Sequence, residues 1–100
     1  STSTTSLVWV GPANQVMIDM PAPWRCRLSD FSLDGNSTPG LVGIRYRPGY
    51  EFGRNGGKEN TFERLSINRV DVGIDVGAPL NPGAKNTHHK LVILSLSCIV

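Results

Sequence analysis

The sequence predicts an all-β fold, either a single antiparallel β-sandwich or a jelly-roll-like barrel, with about six to eight strands. Several short segments alternate apolar and polar residues at period 2, which is typical of half-buried strands. Turns rich in Gly, Pro and Asn separate these segments. No window of 11 residues shows a sustained helical period. Together these observations favour strands throughout the chain.

The last segment, residues 90–100, is the strongest strand signal. One face is entirely apolar, and Ser95 and Ser97 are the only polar side chains on the other face within the run from Leu91 to Val100. A strand that is apolar on both faces is usually buried on both sides. We therefore expect this C-terminal strand to lie in the centre of a sheet.

The remaining segments are assigned in chain order. Residues 1–6 are all Ser or Thr and predict a flexible N-terminal arm, and residues 7–100 form a single domain. A change of apolar phase before Phe31 indicates a bulge near Ser29-Asp30. The predicted strands cover residues 7–10, 16–20, 24–33, 42–47, 65–67, 70–76 and 90–100.

Two connections are long, and one segment is ambiguous. Residues 49–60 and 77–90 are polar and rich in Gly, Asn or Pro, and the first is a candidate functional loop. Asn60 and Glu63 match a capping box for a helical turn. Alternation of Leu65 and Ile67 favours a strand instead, followed by a turn at residues 68–69. We find no internal repeat.

Composition excludes several classes of protein. The 100 residues carry a net charge of +2, too mild to indicate nucleic-acid binding alone, and Arg outnumbers Lys seven to three. No apolar run reaches the roughly 18 residues of a membrane span. No signal peptide is visible at the N-terminus, so we expect cytoplasmic synthesis, with a virion as one final location.

The residues that usually carry catalysis are poorly placed. Cys26 and Cys98 are interpreted as buried thiols, with a disulfide between neighbouring strands as the alternative. His88 and His89 point apart in an extended chain, so they do not favour one shared metal. Gly53–Gly57 lacks the spacing of a phosphate loop. We predict no enzyme activity, no metal site and no cofactor.

A basic and aromatic group supplies the candidate interface or ligand-binding residues. Pairs of arginines share strand faces, and aromatic and basic residues follow the second pair in sequence. Such a surface binds single-stranded nucleic acid or stacks against a sugar. In the alternative interpretation, the arginines pair with Glu51, Glu59, Glu63 or a neighbouring subunit. The candidates are Arg25, Arg27, Arg45, Tyr46, Arg47, Tyr50, Phe52, Arg54 and Lys58.

These features favour a non-enzymatic structural or assembly protein, a small subunit of a symmetric assembly. Viral or phage capsid, decoration or penton components are examples of this class. The expected partners are further copies of the chain or a larger protein assembly, with a glycan or nucleic acid as other ligands. The alternative functions are a lectin-like carbohydrate-binding β-sandwich, which needs an exposed aromatic platform, and a single-stranded nucleic-acid-binding domain.

Overall fold

A computed structural model describes residues 5–51, 54–56, 59–77 and 91–99. Most of these residues are in strands, and none of them is helical. No helix in this part of the chain has the length and apolar character that crossing a membrane requires. The strands are β1 (Thr5–Val8), β2 (Val16–Pro21), β3 (Arg27–Asp34), β4 (Val42–Arg47), β5 (Gly49–Glu51), β6 (Arg54–Gly56), β7 (Asn60–Asn68), β8 (Val72–Val76) and β9 (Leu91–Ile99).

The two main sheets are parallel, which contradicts the predicted antiparallel sandwich or jelly roll. Sheet A has the strand order β1-β3-β7-β9, sheet B has the order β2-β4-β8, and every neighbouring pair in both is parallel. The antiparallel pair β5-β6 forms a separate small sheet. Alternation along a strand shows which side chains share a face, but it carries no information about strand direction.

The chain therefore winds as a solenoid, in which each coil contributes one strand to each sheet. The N-terminal coil contains β1 and β2, the second coil β3 and β4, and the third coil β7 and β8, while β9 adds a fourth strand to sheet A alone. Short corners connect sheet A to sheet B, and backbone hydrogen bonds join successive corners, as from the Trp9 N–H to the Asp34 carbonyl at 2.8 Å. Each coil is supported mainly by its neighbours.

The expectation of no internal repeat was also wrong at the level of structure. Thr5, Phe31, Leu65 and Leu96 are aligned across sheet A, and they lie 26, 34 and 31 residues apart in sequence. The period varies because the connections between strands differ in length, and the second coil also carries the β5-β6 hairpin. A repeat of changing length gives no fixed period for a sequence comparison to detect.

The core lies between sheets A and B. Leu33 and Ile67 occupy one row of sheet A and are fully buried, as are Leu41 and Ile44 from the other side of the solenoid. The buried cluster consists of Met20, Leu33, Leu41, Ile44, Tyr46, Phe62, Leu65, Ile67 and Val70. Aligned apolar residues in successive coils thus form a continuous core along the stack.

The change of phase that predicted a bulge near Ser29-Asp30 corresponds to a kink at Asp30, and β7 has a matching kink at Arg64, so neither strand gains an extra residue. Asp30 and Arg64 both have positive φ, at 61° and 52°, and their pair is missing from the otherwise regular register of β3 and β7. Beyond this kink the buried face changes parity, from Phe62 to Leu65 in β7. The strand predicted at residues 65–67 is also confirmed, although the observed strand β7 begins earlier, at Asn60, and Arg69 takes a left-handed conformation in the turn that follows.

The C-terminal strand is at an edge of sheet A, so its predicted central position was wrong. Its only described partner is β7, and on this strand the Ile93 side chain is 44% exposed. Continuous apolar sequence is characteristic of strands in parallel sheets. In this chain the continuous apolar pattern occurs in an edge strand of a parallel sheet, so the pattern does not mark the centre of the sheet.

The register also excludes a disulfide between Cys26 and Cys98. The Cys26 backbone N–H donates to Oδ1 of Asn60, at the start of β7. Cys98 aligns instead with Ile67, near the other end of that strand. Seven residues of strand separate these positions by roughly 23 Å. A disulfide requires Cα atoms within about 7 Å. Cys26 is a free thiol of intermediate burial.

Candidate functional site

The charged residues of the second coil face opposite charges on the third coil. Arg25 Nε lies 2.5 Å from Glu59 Oε2, Arg45 Nε lies 3.4 Å from Asp75 Oδ2, and the other three pairs are Arg27–Glu63, Asp30–Arg64 and Asp34–Arg69. In all five pairs one residue belongs to the second coil and the other to the third coil. The charges therefore align the two coils with each other, in addition to the apolar rows inside.

Backbone conformation places two of these pairs at the surface. Arg25 and Glu59 have φ of 54° and 56°, and Asp30 and Arg64 are likewise left-handed, so non-glycine residues of opposite charge stack at matching kinks. Left-handed conformations are unfavourable for residues with a Cβ. The inter-coil pairs help to hold them, because each kink brings its two side chains within bonding distance.

Hydrogen bonding changes the acidity of two of these carboxyl groups. The Arg64 guanidinium, which donates to Asp30 with one contact at 2.9 Å, lowers the pKa of Asp30. The pKa of Asp34 is lowered first by the hydrogen bond from Arg69 and then by the backbone N–H of Asn36. Both groups are therefore held as carboxylates well below neutral pH.

Arg25 and Arg27, two of the candidate ligand-binding residues, take part in these pairs with Glu59 and Glu63. This is the arrangement of the alternative interpretation, in which glutamates neutralise the arginines. Arg25 also lies over the ring of Trp24, 4.7 Å from its centroid. Trp24 is 44% exposed, but the guanidinium covers one ring face. The placement gives little support to a sugar-stacking platform or a phosphate-binding stripe at these residues.

Tyr46 lies in the core and contributes nothing to an exposed surface. Its ring packs edge-to-face against Phe62, with centroids 6.0 Å apart, and its hydroxyl accepts a 2.7 Å hydrogen bond from Asn60 Nδ2. Burial raises the pKa of the Tyr46 hydroxyl, and the Asn60 hydrogen bond partly opposes that rise. The alternation of β4 places Tyr46 inward and its neighbours Arg45 and Arg47 outward.

Asn60 joins three parts of the fold, and sequence reasoning missed it. Its side chain donates to the Pro23 carbonyl at 2.9 Å and to Tyr46, and its Oδ1 accepts the Cys26 N–H at 2.9 Å. It is the one polar residue among the described side chains that is fully buried. We had treated Asn60 only as a helix-capping candidate. Its position two residues before the apolar Phe62, on the same face of the strand, is the sequence signal of its inward position.

Of the six remaining candidates, two lie in the β5-β6 hairpin, two lie on the outer side of the solenoid and two lie outside the described residues. Tyr50 lies in β5 and Arg54 in β6, in the long loop that the sequence marked as a candidate functional loop. Phe52 and Lys58 lie outside the described residues, as do His88 and His89. Arg47 lies beside Arg45 on the outer side of β4, at a cleft of about 380 Å³. Of the candidate residues, Arg45 and Arg47 are the two brought together at that cleft.

The described part of the chain contains no group of three His, Cys, Asp or Glu side chains arranged to hold a metal ion. Asp71 accepts the Gly40 N–H at 2.5 Å and so links the corners of successive coils. The described carboxylates therefore serve mainly in contacts between coils. No protein-family model, curated protein or solved structure matches the chain.

Proposed function

We propose that this protein is a non-enzymatic structural subunit that forms a symmetric homo-oligomer through the N-terminal coil of its solenoid. One observation carries the proposal: β1 and β2 are the end strands of the two sheets and belong to the same coil. Each has a single described strand partner. The backbone groups on the outer side of both strands are thus available to pair with another chain.

The side chains at this end are apolar and exposed. Leu7 aligns with the buried Leu33 in the row that continues to Ile67, yet Leu7 itself is 50% exposed. Val8 and Val10 are exposed as well. Among the described residues, none covers the interior of the solenoid at this end, and a second copy placed over it removes apolar surface from water.

A two-fold axis brings both end strands of the N-terminal coil against their own copies. β1 then pairs antiparallel with the partner's β1, and β2 with the partner's β2, which extends both sheets across the interface. Dimers with two-fold symmetry are the commonest closed assemblies. At the other end β9 extends sheet A beyond the last strand of sheet B, so the same operation does not join both sheets there.

The non-enzymatic part of the proposal is supported by the use of the acidic residues. Glu59, Glu63 and Asp75 all face arginines of the second coil, as Asp30 and Asp34 face arginines of the third. A general acid or base needs a proton that it exchanges near the working pH. The lowered pKa values of Asp30 and Asp34 oppose that role.

The test is the solution mass of the purified chain, measured by light scattering over a range of protein and salt concentrations. We expect a dimer that persists in high salt, because the interface is apolar. Leu7→Lys places a charge at the open core and should give a folded monomer. Val76→Lys is the matched control, since Val76 is an exposed apolar residue on β8 at the opposite end.

Circular dichroism of both variants verifies that the strands remain intact. A wild-type protein that is monomeric at the highest concentration contradicts the proposal. Dissociation by Val76→Lys with no effect of Leu7→Lys contradicts the choice of the N-terminal coil and assigns the interface to the opposite end.

A further inference from the structure

We propose that the outer side of sheet B carries a binding site for a small anion with one carboxylate and neighbouring hydroxyl groups, anchored by Arg47. The cleft of about 380 Å³ is lined by Arg45, Arg47, Asp75 and Gly77. This volume lies in the range of small-molecule sites. The site is separate from the N-terminal coil and does not depend on the proposed assembly.

Parallel pairing of β4 with β8 forms the cleft. Arg45 aligns with Asp75 and Tyr46 with Val76, and the Gly77 N–H donates to the Tyr46 carbonyl at 3.0 Å. Gly77 thus lies next to Arg47 where β8 ends. A Cβ at Gly77 would lie 3.5 Å from Arg47 Cγ and 3.8 Å from Nε, so the absence of a side chain keeps the space beside the guanidinium open.

Arg47 differs from the arginines that join the coils. It aligns with Pro21 on β2 and lies beside Gly77 at the end of β8, so the positions directly next to it carry no carboxylate. Among the side chains that the structure describes, a set that does not include Glu51, no carboxylate oxygen lies within 4.0 Å of its guanidinium. An arginine in a cleft with its donors available is suited to binding a planar carboxylate with two parallel hydrogen bonds.

Arg45 and Asp75 determine which groups the ligand needs in addition to its carboxylate. Their contact of 3.4 Å is longer than the 2.5 Å contacts of Arg25 with Glu59 and of Arg69 with Asp34. Asp19 aligns with Arg45 from the opposite strand, β2, but makes no contact with it within 4.0 Å. Asp75 therefore remains able to accept a hydrogen bond from a ligand hydroxyl, while Arg45 adds a second positive charge.

The charge of the lining residues selects the class of anion. Two guanidinium groups and one carboxylate leave a net charge of +1, which matches a monoanion. A phosphate with a charge near −2 brings its second negative charge close to Asp75, where repulsion weakens binding. A hydroxycarboxylate satisfies both kinds of group, because its carboxylate binds Arg47 and its hydroxyl donates to Asp75.

The experiment is titration calorimetry of the wild-type protein with glucuronate, lactate, glucose and inorganic phosphate. We expect glucuronate or lactate to bind at least tenfold more tightly than glucose or phosphate. A stronger signal for glucuronate assigns a sugar acid, and a stronger signal for lactate assigns a small hydroxy acid. Equal or tighter binding of glucose or phosphate contradicts the proposal, as does the absence of binding by both acids.

Two variants test the position of the site. Arg47→Gln should weaken binding of the acid at least tenfold and leave the circular dichroism spectrum unchanged. Arg27→Gln is the matched control, because it removes the same charge from a paired arginine on sheet A. Equal losses in the two variants indicate general electrostatic attraction and overturn the assignment. Gly77→Val should also abolish binding by filling the cleft, and retained affinity in that variant contradicts the geometry.

Discussion

At the scale of single residues, the buried amide of Asn60 connects both sheets and a closing segment of the solenoid. Its three hydrogen bonds use both side-chain atoms and reach Cys26, Pro23 and Tyr46. Buried polar groups that are fully hydrogen-bonded specify one arrangement of their neighbours. The hydrogen bonds of Asn60, which lies on the third coil, therefore fix how that coil aligns with the second coil.

Asn60→Ala should destabilise the protein by about 1–3 kcal/mol, because the Cys26 N–H and the Tyr46 hydroxyl lose a buried partner. Chemical denaturation followed by circular dichroism measures the loss. Asn68→Ala is the control, since Asn68 is only partly buried and its side chain bonds to the nearby Ser66. Its effect should be within about 0.5 kcal/mol. Similar losses in the two variants contradict the role given to Asn60.

At the scale of the elements, most strands were predicted correctly and their pairing was not. Residues 16–20, 42–47 and 90–100 were assigned as strands within one residue of the observed bounds. The corners, rich in Gly and Pro, were predicted as turns between strands of an antiparallel fold, but they carry the chain from one parallel sheet to the other. Corner and hairpin use the same turn residues, so composition alone did not distinguish them.

Gly43, on β4 of sheet B, packs closely against Ile67 of sheet A and against the neighbouring strand β8. A Cβ there would lie 2.7 Å from the Gly73 carbonyl oxygen and 2.8 Å from Ile67 Cγ2, and both neighbours are held in place by the strands around them. Alternation marks which residues face inward, but it does not report the distance between two sheets. The need for glycine at this position was therefore not visible in the sequence.

Gly43→Ala should destabilise the protein by about 1–3 kcal/mol, because the added methyl overpacks the contact between the sheets. Gly77→Ala is the matched control, since its added methyl lies 3.5 Å from the flexible Arg47 side chain. Thermal unfolding of both variants distinguishes the two positions. A Gly43→Ala protein as stable as Gly77→Ala shows that the sheets move apart without cost.

At the scale of the whole molecule, stability depends on contacts between successive coils. The candidate site illustrates what the sequence predicted of this arrangement. Grouping Arg45 with Arg47 followed from alternation along one strand. The partners of Arg25 and Arg27 were among the glutamates considered, but their pairing depends on a spacing of 34 residues between coils, which only the solenoid supplies.

Acid should weaken the contacts between the second and third coils. Asp30 and Asp34 have folded-state pKa values below the ordinary 3.8, so the folded state binds their protons more weakly than the unfolded state does. Their contribution to the unfolding free energy is complete above about pH 4 to 5 and declines as the pH falls from 3.8 towards the lowered values. Denaturation at several pH values between 3 and 7 measures this decline.

The double variant Asp30→Asn, Asp34→Asn keeps the size of both side chains but removes the two titrating groups. It should be less stable than the wild type at pH 7, and its unfolding free energy should change less between pH 5 and pH 3. An equal decline in the variant assigns the acid sensitivity to other carboxyl groups.

The unequal number of strands in the two main sheets also bears on fibre growth. Solenoids with complementary ends can polymerise head to tail without limit, because each added copy recreates the same end. If a second copy places its β1 on β9, its β2 lies two strand spacings from β8, so the described part of sheet B lacks one strand at the junction. Closing that gap brings Asp19 of the second copy towards Asp75 of the first, two like charges. The described strands thus disfavour head-to-tail polymerisation, which is consistent with the closed dimer that we propose.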